Sequence, residues 1–371
     1  MRYIGNKTRL LPFIASALDR LKLRVGSAHD AFAGTAAVGR ALKQRGWRVA
    51  SSDLMTYSYV FQRAYVVAQR APNFADLRAA DPELRAALHG ARFRRAVAAR
   101  GGGALATVAE YLARWIDPEP GFVSSHFGPE GGRMYFSIEN ARRIDAVRAR
   151  LDAWRAEGLV SDDAFYLLLA ALLEGADRVA NTAGVYAAYI KSWQPNALHA
   201  LDLLVTLPVN GVRGATAHQS DAAAVARAIG PVDLLYVDPP YNSRQYAGYY
   251  HVPEIIARGW FGAEVPALSG KTGLPSRGGQ RSAWSSARGV TRAFEELLAG
   301  TSAKHVLVSY NSEGLMPESV LRRTLTEASI DGSVRRFTRA YRRYRADRDH
   351  ARRRYRDDGL RELLYYARLR R

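Results

Sequence analysis

The nearly all-apolar run Val232–Val237 ends on Asp238, Pro239, Pro240 and Tyr241. No other junction constrains the fold as much. An apolar run this short, closed by a turn signal, reads as a central parallel strand buried on both faces. Proline locks φ and lacks an N–H, and it holds the preceding residue in extended geometry. The strand therefore stops with a carboxylate at its carboxyl edge, and the turn carbonyls face outward as free acceptors. An acid, an outward carbonyl and a ring suit a planar base that carries an exocyclic amine. The amine donates to Asp238 and to the Pro239 carbonyl while the base stacks on Tyr241. The competing reading is a loop that only turns the chain.

A second motif agrees with the first. Val25–His29 reads as a strand, Asp30-Ala-Phe32-Ala-Gly34 as a turn, and Thr35–Lys43 as a helix. Strand, glycine turn and helix form the nucleoside- or phosphate-binding edge of a doubly wound sheet. Gly34 and Gly39 do not give the spacing of the dinucleotide fingerprint. The next strand, Arg48–Ser52, ends at Asp53, and an acid about twenty residues beyond the glycine turn binds ribose hydroxyls in such folds. A helix cap or a solvated loop acid is the alternative for Asp53.

Charge narrows the partners. The chain of 371 residues carries a formal net charge of +19, which favours a polyanion, because Lys and Arg gain by releasing counterions from phosphates. Abundant Ala and Arg also fit a GC-rich source, but here the charge is placed: Arg335–Arg371 holds 15 Arg against five acids. A solvated helix face is the usual fate of such a run. Tyr341-Arg342-Arg343-Tyr344-Arg345, at the end of an expected hairpin, is denser than solvation needs and points to phosphate contact. The absence of cysteine excludes disulfides and a thiolate nucleophile. The eight histidines show no ligand spacing, so no metal is expected. Met1–Leu11 lacks the apolar core of a signal peptide, and Ala164–Leu173, the longest apolar run, is too short for a bilayer. These features read as a cytoplasmic, nucleoid-associated bacterial protein with no membrane partner.

Two stretches interrupt the sheet pattern. Ala71–Gly132 carries helical spacing, a break at Gly101–Gly103 and a Pro/Gly stretch from Asp117, and it reads as an insertion. Glu139–Ala156 and Asp162–Val179 read as helices, the second capped by Asp162 or Asp163. Residues 71–199 are thus a mostly helical insertion, and 1–70 with 200–371 form the sheet domain. The sheet resumes near Gly214–Asp221, and His305–Tyr310 is a further strand. Thr56–Gln69 reads as a helix whose Tyr57, Tyr59, Phe61 and Tyr65 pack around the sheet. Gly262–Arg288 has almost no periodicity, and a loop that long is usually functional or disordered.

Taken together, these pieces resemble the S-adenosylmethionine-dependent amino-methyltransferases of DNA, most closely the adenine-specific group with an N-terminal cofactor motif. Arg2-Tyr3-Ile-Gly-Asn6-Lys7 resembles that motif, with Asn6 where a second glycine is usual. Asp30–Gly34 resembles the methionine-side motif, Asp53 the ribose acid, Asp221 the acid facing the cofactor's adenine, and Asp238–Tyr241 the catalytic tetrapeptide. Asn181–Trp193, Tyr250–Arg258, Ser309–Leu315 and Tyr341–Arg345 are softer matches. Ala71–Asp152 and much of Gly262–Arg288 lie outside the resemblance.

The resemblance implies an α/β, Rossmann-like methyltransferase sheet with a helical insertion for target recognition. It implies S-adenosyl-L-methionine held by Tyr3, Lys7, Asp30, Phe32, Gly34, Asp53, Asp221 and Asp238. Tyr3 would stack on adenine or close the pocket, and Lys7 would meet the methionine carboxylate, cap a helix or contact DNA. Catalysis would fall to Asp238, Pro239 and Tyr241, acting on the N6 amine of a flipped-out adenine in double-stranded DNA. Arg277 and Arg281 would read bases, Arg342, Arg343 and Arg345 would hold phosphates, and a cognate restriction endonuclease is an expected partner. An RNA adenine methyltransferase and an inactive DNA-binding protein of the same fold are the rival readings.

Overall fold

A computed structural model describes residues 1–261, 266–275, 280–340 and 361–370. It divides into two compact units: residues 3–62, 211–245 and 279–371, and residues 1–2, 63–210 and 246–278.

The first unit is built on a sheet. Its strands are β1 (Ser27–Asp30), β2 (Arg48–Asp53), β3 (Thr216–Gln219) and β4 (Val232–Val237). After a short hairpin of β5 (Leu268–Ser269) and β6 (Leu274–Pro275) in the other unit come β7 (Ala303–Asn311), β8 (Arg335–Ala340) and β9 (Arg361–Arg368). The sheet order is β3-β2-β1-β4-β7-β9-β8. β1, β2, β3, β4 and β7 run parallel, while β9 is antiparallel to both β7 and β8. The chain moves outward from β1 through β2 to β3, then returns to lay β4 on the other side of β1. That reversal opens a crevice beyond the carboxyl ends of β1 and β4, where ligands bind in open α/β sheets.

β4 has the expected bounds, and Leu234 and Leu235 are fully buried, as a strand covered on both faces requires. Val237, Val306 and Val308 share its core with Phe294, Leu297 and Leu321. β1 begins and ends later than the sequence suggests, so Asp30 is its last residue rather than the first of the turn. Its pairing with β2 from Ser27 to Asp30 sets those ends.

The second unit is mostly helical. Its longest helices are Ile138–Ala156 and Asp162–Val179. All of the apolar run Ala164–Leu173 except the half-buried Tyr166 is buried in the latter. This unit takes in 246–278, which the sequence boundary assigned to the sheet domain.

Three local readings differ. Ser161, not Asp162 or Asp163, caps the helix, because its hydroxyl accepts from Ala164 N. The two aspartates occupy the first turn, where they favour the dipole. The helix from Thr56 is α-helical only to Gln62 and continues as a π turn over Arg63–Val67. There Ala68 N reaches back to Arg63 O at 2.9 Å. The segment Gly262–Arg288 is not featureless, since it holds the β5–β6 hairpin and a 3-10 turn at Ala283–Ser285 that buries Trp284. None of the described helices is long and apolar enough to cross a membrane.

Candidate active site at the carboxyl edge of the sheet

Asp238 follows directly on β4, and Ser309 stands beside it on β7, one residue past the Val237–Val308 pair. Tyr241 donates its hydroxyl proton to Asp238 Oδ1 at 2.5 Å and lies 3.3 Å from Ser309 Oγ. Lys7 Nζ donates to the Tyr241 hydroxyl and approaches Asp238 Oδ1 at 3.1 Å. It also faces Glu362 Oε2 of β9 at 3.8 Å. Lys7 is 4 % exposed. Pro239 is buried and fixes the turn.

Electrostatics follow from this packing. Burial raises the Asp238 carboxyl above its ordinary value, while Lys7 and Tyr241 pull it partly back. The Tyr241 phenol is raised well above its usual range by burial and then by Asp238, so it stays a donor. Tyr241 and Lys7 meet the carboxylate at Oδ1, and the Ser309 hydroxyl also bonds to it.

The neighbouring loop after β1 forms the second half of the crevice. Asp30 is 1 % exposed. Its Oδ2 accepts from Gly39 N at 2.9 Å, in the first turn of the helix Ala37–Gln44. Its Oδ1 is buried with no hydrogen-bond partner among the described residues. Asp53 accepts from Gly34 N at 2.9 Å and Met55 N at 3.0 Å, joining the end of β2 to the loop. Gly34 adopts φ +51°, a conformation that a side chain disfavours. Tyr3 packs over it and receives a hydrogen bond from Tyr57 at 3.3 Å. Burial first, then Asp238 and, more weakly, Asp53, push the Asp30 carboxyl up to about 7. A crevice so crowded with carboxylates favours a cationic ligand.

Other expected site residues stand as follows. Phe32 is partly buried and sets its ring edge-to-face against Trp284, centroids 4.8 Å apart. Asp221 lies just past β3 and caps the helix Ala222–Ala228 through the amides of Ala223 and Ala224. Both cap hydrogen bonds fall on Oδ1 of this exposed residue. Lys7 is committed to the cluster around Asp238 and makes no side-chain cap of the turn it precedes. Arg281 is exposed, whereas Arg277, Arg342, Arg343 and Arg345 lie outside the described residues.

Sequence reasoning reached Ser309 only as the start of a softer match, and missed Glu362 and Trp284. Ser309 carried a signal, because an apolar strand that turns polar at the register of Asp238 marks the same edge. Glu362 carried only the weak signal of an acid opening the apolar run Leu363–Tyr366.

Comparison with known proteins bears on this site. A sequence model of the family described as D12 class N6 adenine-specific DNA methyltransferase matches residues 3–263. The chain is 34 % identical to Type II methyltransferase M.NlaIII of Neisseria lactamica over 94 % of this chain and 93 % of that one. It is 32 % identical to Type II methyltransferase M.FokI of Planomicrobium okeanokoites, over 93 % of this chain and 50 % of that one. Type II methyltransferase M.CviAII of Paramecium bursaria Chlorella virus 1 is 30 % identical over 93 % and 92 %. The chain thus spans about half the length of M.FokI and nearly all of M.NlaIII and M.CviAII.

Proposed function

The chain belongs to the D12 class N6 adenine-specific DNA methyltransferases, and on that premise we propose that it methylates the N6 amine of adenine at a specific sequence in duplex DNA. The observation that carries the reading is the placement of Asp238. The carboxylate ends a buried central strand, is held through Oδ1 by Tyr241 and Lys7, and keeps Oδ2 free of both.

We propose S-adenosyl-L-methionine as the donor. The residues fit it: Asp30 Oδ1 is a buried acceptor without a partner, and Asp30, Asp53 and Asp238 together favour a cation. The positive φ and bare Cα of Gly34 let Tyr3 pack directly against the loop after β1. When bound, the donor supplies an activated methyl on a positively charged sulfur. Asp30 would take the ammonium, Asp53 the ribose hydroxyls and Tyr3 a face of the adenine.

The amine lone pair of adenine is delocalised into the ring, so the protein must align it and stabilise its pyramidal form. Alignment can supply ~7–11 kcal/mol. Asp238 Oδ2 and the Pro239 carbonyl accept from the amine. Methyl transfer would place positive charge on that nitrogen, and Asp238 beside it would stabilise the charge. The nitrogen then sheds one proton, for which Asp238 is the nearest acceptor. The base leaves the duplex first, at a cost of a few kcal/mol. Tyr241 holds its phenol on Asp238, so its contribution to the base is a ring edge or face beside that hydrogen bond.

We assign target recognition to residues 71–199 and the segment 262–288, and phosphate contact to the arginines of 335–356. A cognate restriction endonuclease is the proposed partner, and the cell compartment holding the genomic DNA is the site of action. The test is labelled-methyl transfer to duplex DNA, with N6-methyladenine read by mass spectrometry. The wild type should transfer and Asp238→Ala, folded and donor-binding, should not. Turnover of Asp238→Ala near the wild-type rate would reject the assignment.

A further inference from the structure

Charge counting around Asp238 leaves a problem. Asp238 is there to oppose positive charge on the amine, yet Lys7 Nζ stands 3.1 Å from its Oδ1. A carboxylate with an ammonium against it presents a neutral pair, and a neutral pair stabilises a growing cation poorly. Both groups are well buried, Lys7 at 3 % and Asp238 at 13 % side-chain exposure, so water does little to screen them.

The structure supplies a second anion. Glu362, from β9, lies 3.8 Å from the same ammonium, and its side chain is 8 % exposed. Its Oε2 has no hydrogen bond among the described residues. Lys7 is thus flanked by two carboxylates, one from β4 and one from β9. We propose that Glu362 is a positioning residue for methyl transfer, sharing the Lys7 ammonium with Asp238 so that the cluster is net negative when charge develops on the amine.

This inference rests on the proposed methyltransferase reading. With both acids ionised the cluster carries two negative charges and one positive. Without Glu362 it carries one of each. Among the described residues, the groups acting on Glu362 are Lys7 from the N-terminal segment and Asp238, Tyr241 and Tyr236 from β4 and its turn; its strand partners are Asn311 on β7 and the exposed Arg339 on β8. Burial first, then Asp238, raise its carboxyl to about 7 against the pull of Lys7. The balance therefore changes near neutral pH.

The experiment measures the single-turnover rate of methyl transfer to duplex DNA with saturating S-adenosylmethionine, alongside donor affinity by calorimetry. Glu362→Gln keeps shape and removes charge. It should slow transfer about tenfold or more, equivalent to ~1.4 kcal/mol, with donor affinity little changed. The rise of the wild-type rate through neutral pH should vanish in this variant. Lys7→Met combined with Glu362→Gln returns the cluster to one net negative charge and should recover most of the lost rate.

A Glu362→Gln variant with the wild-type rate and pH profile would overturn the inference. So would a double variant slower than the single one. If Glu362→Gln fails to fold, the double variant, which removes the ion pair whole, and the wild-type profile decide: a rate flat between about pH 6 and 8 rejects the role. A wild type that transfers no methyl to adenine would instead reject the functional reading itself.

Discussion

Gly34 lies against the ring of Tyr3, so close that a methyl group on its Cα would come within 2.9 Å of Tyr3 Cε1. The same residue donates its N–H to Asp53 at 2.9 Å. One glycine thus ties the N-terminal segment, the loop after β1 and the end of β2 into a single wall.

Gly34→Ala is expected to damage that wall in two ways. At φ +51° an alanine costs ~1–2 kcal/mol, and its methyl must displace Tyr3. Thermal melting should show lower stability, and calorimetry should show S-adenosylmethionine bound about tenfold more weakly or worse. Wild-type donor affinity in a folded Gly34→Ala protein would remove this loop from the pocket.

Donor affinity should depend on pH through Asp30. Its folded carboxyl is raised to about 7 from 3.8. Below that value the group gains a proton and loses the charge that attracts a cation. Affinity should therefore fall as pH drops through about 7, approaching tenfold per unit for one proton. Asp30→Asn should bind weakly at every pH and flatten the curve. The effect on folding has its own sign: a raised acid favours the folded state at low pH, and that advantage is lost as pH rises through about 7. Equal donor affinity at acid and alkaline pH would rule Asp30 out of the binding charge.

His29 makes the opposite contribution to stability. It is fully buried on β1, bonded through Nε2 to Ser52 Oγ at 2.9 Å, and its value is lowered from 6.5 to about 3 by burial and by His218. Between those values the unfolded chain holds a proton that the folded chain lacks. The stabilisation is complete above 6.5 and lost as pH falls toward 3, by up to ~1.4 kcal/mol per unit. Urea unfolding of the wild type and His29→Gln across this range should give free energies whose difference changes with that slope. Parallel curves would mean that His29 titrates normally.

DNA contacts should separate by class. Arg342→Ala with Arg343→Ala should weaken binding to cognate and unrelated duplexes alike. The salt dependence should flatten by ~1.8 in log–log slope if two phosphate contacts are lost. Arg281→Ala should leave that slope nearly unchanged and reduce discrimination between sequences. If Arg281→Ala altered only the salt slope while the paired change altered site choice, the roles would be reversed.

Sequence alone determined the elements whose causes are local. β4 was legible because an unbroken apolar run met two prolines, and Asp30, Gly34 and Asp53 were legible because strand, turn and helix follow one another there. The net charge of +19 favours a polyanion partner from composition alone. Tertiary structure decided what depends on strands far apart in the chain. Lys7 reads as a cofactor or DNA contact, and only the fold shows that β4 and β9 bring Asp238 and Glu362 to its ammonium. Asp221 reads as a cofactor acid, and the structure adds that it caps the helix after β3 through Oδ1. Trp284 sits in a stretch without periodicity, and only the packed sheet shows it closing on Phe32. A buried charge takes its role from whichever partners burial leaves it, and those partners come together only when the chain has folded.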